Sequence, residues 1–268
     1  MTSTSKPAAP APEPGGGPPG RAAGTRRRSV RAGLTAAAAT ALLLAAAPAA
    51  TAEDNGIADQ SAQTIADRSR TAMADATSLR MAAELTDSTG TTGLDLAFDT
   101  QGNCAGTVKL PGGEGRADVI KRGDDVWMKL DETLLRSQIP GSAADDAIAL
   151  IDGRYLHGTT NSAVLKQFAE FCDLNQFKEK FSSAPAGEKL TKGQRTTVDG
   201  DPAVTVTSRH GTETTTFYVS TEDAPYLLRA EGTDSGGERT EAVFSDYGRP
   251  VPARTPAPAD SVDLSELQ

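Results

Sequence analysis

Histidine, cysteine and aromatic residues are all scarce in this chain. Two histidines, two cysteines and one tryptophan serve 268 residues, and aromatics make up 4%. With His157 and His210 as the only imidazoles, a hydrolytic triad would need one of them beside a serine and an acid. Between Glu53 and Gln268 there is neither a Gly-x-Ser-x-Gly elbow nor a Ser-x-x-Lys element. Two isolated histidines also lack the clustered spacing that a metal site needs. The acidic pairs Asp124-Asp125 and Asp145-Asp146 are adjacent, so their side chains diverge on a strand or helix and suit turns and caps better. Gly112-Gly113 and Gly236-Gly237 sit in hairpin contexts and form no phosphate-cradling loop. Catalysis, a metal and a cofactor are therefore not expected.

A membrane-spanning run is missing as well. The apolar stretch Leu34 to Ala47 falls short of the roughly 20 residues a spanning helix needs, and Pro48 follows it. What is there instead is an export signal. Arg26-Arg27-Arg28 and Arg31 precede the apolar run, and Ala50-Thr51-Ala52 closes it as an A-x-A site before Glu53. Residues 1–52 thus read as a signal peptide with a Pro/Gly/Ala-rich, disordered N-terminal extension. The general secretory path is favoured over the twin-arginine route, because Ser29-Val30-Arg31 continues the Arg pair poorly.

Positive charge is in deficit after the signal. Of 27 basic and 36 acidic residues, six basic and one acidic precede Glu53, which leaves 21 against 35 and a net charge of −14. Such a surface repels nucleic-acid backbones and anionic head groups, so a nucleic-acid partner is excluded. In an exported chain the even cysteine count reads as a disulfide between Cys104 and Cys172, contributing roughly 4 kcal/mol on the chain-entropy model. The competing reading is a catalytic thiol served by one of the two histidines.

The segment from Ile57 to Ala76 carries a weak helical stripe. From Leu79 the apolar period becomes two. Leu79 to Leu85, Leu94 to Phe98, Gly106 to Leu110, Arg116 to Ile120 and Val126 to Leu130 read as five strands separated by Gly, Pro and Asp turns. Leu134 to Leu150 and Asn161 to Phe181 return to helical spacing, with Asn161 or Ser162 as a cap and Val164, Leu165, Phe168 and Phe171 on one face. Asp173 can cap a further turn holding Leu174, Phe177 and Phe181. A second strand group follows, through Gln194 to Val198, Ala203 to Arg209, Thr214 to Ser220, Tyr226 to Glu231 and Thr240 to Asp246. The expected fold is α+β, residues 53–268 forming one domain. It is a large curved antiparallel sheet, a half-barrel, with helices packed on its concave face.

In that fold Leu94, Leu96, Phe98, Val126, Met128, Phe168, Phe217 and Val219 are the candidate cavity-lining residues. Most of any such apolar face is plain core. Trp127 lies on the opposite face from Val126 and Met128, where packing is its first reading and ligand contact its second. Both histidines fall in segments read as surface loops.

Two motifs carry a resemblance. Ala117 to Lys129, ending in Val126-Trp127-Met128-Lys129, and Val243 to Val251, containing Phe244-Ser245-Asp246-Tyr247-Gly248, resemble the actinobacterial LppX/LprG-type envelope lipoproteins (the LppX_LprAFG group). The fold of that group is related to the LolA and LolB carriers, and the order of elements is similar from Ile57 to Val262. The resemblance implies a half-barrel over helices, with a cavity for the acyl chains of lipids or lipoglycans. It implies carriage in the envelope without catalysis. One departure is informative. The family's lipobox cysteine is absent, since no cysteine precedes Cys104. A secreted or wall-associated protein without a lipid anchor is expected. The alternative is a non-enzymatic surface interaction or structural module of the same fold with a filled core.

Overall fold

Alternation of apolar and polar residues places every second side chain of a strand on one face. The computed structural model describes residues 53–162, 165–166, 169, 171–182, 187–252 and 254–267. Among these, the first strand group becomes β1 (Ser78–Asp87), β2 (Gly90–Asp99), β3 (Cys104–Lys109), β4 (Arg116–Arg122) and β5 (Asp125–Leu130). After β6 (Tyr155–Thr159), the second group becomes β7 (Lys189–Val198), β8 (Asp201–His210), β9 (Glu213–Ser220), β10 (Leu227–Thr233) and β11 (Arg239–Ser245), and β12 (Ser261–Asp263) closes the chain. They join in one open 12-stranded sheet in the order β12-β6-β5-β4-β3-β2-β1-β11-β10-β9-β8-β7. The two meanders are fused by antiparallel pairing of β1 with β11, and β12 runs parallel to β6.

The register turns the alternation into a continuous apolar face. Leu79, Met81 and Ala83 stand against Phe98, Leu96 and Leu94. The row continues to Cys104 and Val108, then to Ala117 and Val119, then to Leu130 and Met128. In the other direction Met81 and Ala83 meet Phe244 and Ala242, Ala242 meets Ala230, Ala230 meets Phe217, and Phe217 meets Val206. Gly106 is required in this row. A Cβ there would lie 1.9 Å from the Asp95 carbonyl oxygen. Asp87 closes the β1–β2 turn by accepting from the backbone N–H of Thr89 (2.7 Å) and of Gly90 (3.2 Å).

Helices cover the same face. The N-terminal helical stripe splits into a short 3-10 turn at Ile57–Asp59 and α1 (Ala62–Asp75). The Ser61 hydroxyl caps α1 by accepting from Thr64 N–H at 3.2 Å. Ile65, Ala66, Ser69 and Met73 are its buried stripe. The expected helix from Leu134 to Leu150 is two helices, α2 (Glu132–Gln138) and α3 (Ser142–Ile151). Pro140 and Gly141 break it, Gly141 at φ 65°. Asp173 accepts from Gln176 N–H at 3.0 Å at the start of α4 (Leu174–Ser182). Phe177 of α4 packs on Phe98 and Phe244, with centroids 6.1 and 5.7 Å apart, and Phe181 packs on Phe217 at 6.0 Å. Of the residues expected on the preceding helix, Val164 and Phe168 lie outside the described residues, Leu165 is buried and Phe171 is exposed.

Cys104 and Cys172 form a disulfide across 68 residues, tying β3 to the segment before α4. This settles the cysteines as structural, in place of a catalytic thiol. Tyr247 closes the molecule near the N-terminal end of β10. Its hydroxyl donates to the Leu227 carbonyl and lies 3.2 Å from the Met73 sulfur, and its ring stacks on Tyr226 at 4.0 Å.

Candidate functional site

The hairpin β8–β9 presents a gradient of polarity on the helix-covered face. Its cross-strand pairs run from Val204–Val219 and Val206–Phe217 through Ser208–Thr215 to His210–Glu213 at the turn. α1 lies over β8, and α4 packs beside α1. Where these elements meet, small side chains fail to fill the space. A cavity of about 200 Å³ remains, with Ala66, Val206, Val219, Phe181 and Phe217 as its apolar wall.

Polar groups gather on the other side of the same cavity. Arg70 of α1 donates to Glu188 at 2.8 Å and to Asp67 at 3.2 Å. The second oxygen of Glu188 accepts from the Ser208 hydroxyl at 2.6 Å. The Glu188 side chain is 9% exposed and that of Arg70 16%, so this ion pair is largely withdrawn from water. Ser69 is 3% exposed, and its hydroxyl has no hydrogen-bond partner among the described residues. Most buried polar groups are paired, so an orphaned hydroxyl on a cavity wall is notable. His210 and Glu213 stand at the exposed end.

The candidate residues named from sequence fall into three sets. Phe217 and Val219 line this cavity. Leu94, Leu96, Phe98, Val126 and Met128 are buried in the main apolar cluster with the disulfide, in which every buried member is at most 8% exposed. Phe168 lies outside the described residues. Sequence reasoning missed Ser69, Arg70, Glu188 and Ser208. The only available signal for Ser208 was that the apolar alternation of Val204 and Val206 ends on a polar residue.

A larger hollow of about 570 Å³ lies beside the disulfide, lined by Asp99, Gly102, Lys121, Asp124 and their neighbours. Several of its charged groups already serve the fold. Asp99 accepts from the N–H groups of Gln101 and Asn103 at 2.9 Å, and Lys121 donates to the Gly102 carbonyl at 2.9 Å. It offers little to an apolar ligand. His157, expected in a loop, stands instead on β6. It stacks on Trp127 at 4.7 Å and lies 3.3 Å from Asp125 and 3.5 Å from Asp263. Trp127 therefore packs against His157, which joins β5, β6 and β12. Hydrogen bonds to Ser265, with His157 as a lesser cause, hold the Asp263 carboxyl below its ordinary value. Among the described residues no cluster of three or more His, Cys, Asp or Glu is placed to hold a metal, and no helix is long and apolar enough to cross a membrane.

No protein-family model matches the chain, and no curated protein matches it in sequence. Solved structures do resemble it. LprF from Mycobacterium bovis superposes with a TM-score of 0.52 at 14% identity, covering 73% of this chain and 97% of that one. The lipoprotein LppX from Mycobacterium tuberculosis gives 0.46 at 14% identity, covering 75% of this chain and 100% of that one. The likeness to LprF establishes that the chain shares its fold.

Proposed function

We propose that the protein is a non-catalytic binding protein of the cell exterior that holds an alkyl chain between the sheet and helices α1 and α4. The observation that carries this reading is the polarity gradient along β8–β9, which ends in a partly apolar cavity. An amphiphile matches such a gradient with its hydrocarbon toward Val206 and Val219 and its head toward His210. Each methylene moved from water into that wall stabilises the complex by about 0.8 kcal/mol. The cavity is smaller than the roughly 300–1,000 Å³ of drug-sized sites, which suits part of one chain better than a multi-chain lipid or lipoglycan.

Residues 1–52 would direct export, and residues 53–268 would form the secreted or wall-associated domain, without a lipid anchor. The concave-face arrangement expected from sequence is supported by the contacts of Phe177 and Phe181 with the sheet. Carriage of the ligand within the envelope is part of the proposal.

A second reading has its own observation. The face formed by β1–β5 is filled by Leu94, Leu96, Phe98, Val126 and Met128, as in a module that acts through its surface. Native mass spectrometry of the exported protein, followed by organic extraction, separates the two. A discrete co-purifying lipid mass supports the binding protein. A clean apo mass with no uptake of a fluorescent alkyl probe favours the filled module.

A further inference from the structure

We infer that the cavity selects an amphiphile whose polar end is uncharged, a hydroxyl or ester in place of a carboxylate or phosphate. This rests on the proposed binding function and concerns only its head-group chemistry. The inference begins with Ser69. Its hydroxyl is buried on the cavity wall and has no partner among the described residues. A hydroxyl left without a partner away from water carries a desolvation cost that a ligand hydrogen bond would relieve. Ser69 can donate to and accept from the same neutral group.

The charges around Ser69 are already matched. Arg70 is shared between Glu188 and Asp67, and both oxygens of Glu188 are occupied, by Arg70 and by Ser208. A ligand carboxylate at Ser69 would need a cation and would find the guanidinium engaged. Displacing Glu188 would leave that carboxylate buried without its partner, which is strongly unfavourable. Glu213 at the open end repels an anion on approach, and so does the acidic surface. A neutral head group meets none of these penalties and supplies the partner that the Ser69 hydroxyl lacks among the described residues.

The test is calorimetric titration of the exported protein with two ligands of equal chain length, monodecanoylglycerol and decanoate, at a pH where decanoate is fully ionised. Monodecanoylglycerol should bind at least about tenfold more tightly. Ser69→Ala should weaken it about fivefold. Decanoate binding as tightly as monodecanoylglycerol overturns the neutral-head inference and leaves the alkyl-binding reading standing. An unchanged monodecanoylglycerol affinity in Ser69→Ala overturns the role of that hydroxyl. Failure of both ligands to bind overturns the alkyl-binding reading itself.

Discussion

Strands β1–β5 and the hairpin β8–β9 share one sheet and one covered face, yet the first is filled and the second is hollow. On β1–β5 that face carries Leu79, Leu94, Leu96, Phe98, Val126 and Met128, clamped by the disulfide and by Phe177. On β8–β9 it carries Val204, Val206, Phe217 and Val219, then Ser208, Thr215, His210 and Glu213. Topology and alternation are the same in both regions, so neither creates the cavity. Side-chain volume does. Large side chains fill the first region, whereas valine, serine and alanine between Phe181 and Phe217 leave a gap in the second. Polar groups cluster in the hollow region, where Arg70, Glu188 and Ser208 pair with one another.

The largest expected effect is on the filled side. Phe98→Ala removes a ring buried against Phe177 and should cost about 3–5 kcal/mol in urea unfolding. Alkyl-probe uptake by the remaining folded protein should be unchanged, and a parallel loss of uptake would show that the two regions are coupled.

A smaller effect concerns Tyr247, which bonds Leu227 and contacts Met73 of α1. Burial, with Tyr226 nearby, pushes its hydroxyl well above 10.0. Its folded-state value is thus raised above the unfolded one. The associated stability is fully present below pH about 10 and is lost as pH rises further, because only the unfolded chain then ionises at this residue. Unfolding free energy should stay level to that point and fall beyond it. Tyr247→Phe should lose about 1 kcal/mol at neutral pH and show a shallower alkaline decline. An unaltered decline would assign it to other tyrosines.

The smallest stability effect should accompany the sharpest functional one. Ala66→Leu adds a branched side chain to α1 at the cavity wall, at almost no cost in helix propensity. Stability should change by less than about 1 kcal/mol. Alkyl uptake should be abolished. Retained uptake would place the ligand elsewhere and break the contrast between the two regions.

Much of the fold was legible because its signals are local. The period of two in β1–β5 and β8–β11 and the Asp173 cap follow from neighbouring residues, whereas the Ser61 cap and the break at Pro140-Gly141 inside the expected Leu134 to Leu150 helix were not read. β6 was not, since only Leu156 of its five residues is buried, and it is recruited by pairing with β5 and β12. Nor was the true start of β7 at Lys189. Its run of Lys, Thr, Gln and Arg suits an exposed edge and has no alternation to read. At the candidate site, Phe217 and Val219 were visible as apolar strand positions, but Ser69, Arg70 and Glu188 were not. They come from a helix and a connecting segment far apart in sequence, and only folding brings them beside Ser208.

The sequence by itself determined most strands of the two meanders, the acidic balance and the absence of hydrolase motifs between Glu53 and Gln268, because each depends on residue chemistry and short-range spacing. The tertiary structure alone decided that β1 and β11 fuse two meanders into one sheet. It alone decided which apolar positions are core and which are wall, and that the buried Ser69 hydroxyl has no partner among the described residues. These depend on volumes and distances between segments remote in the chain, and no local pattern encodes them.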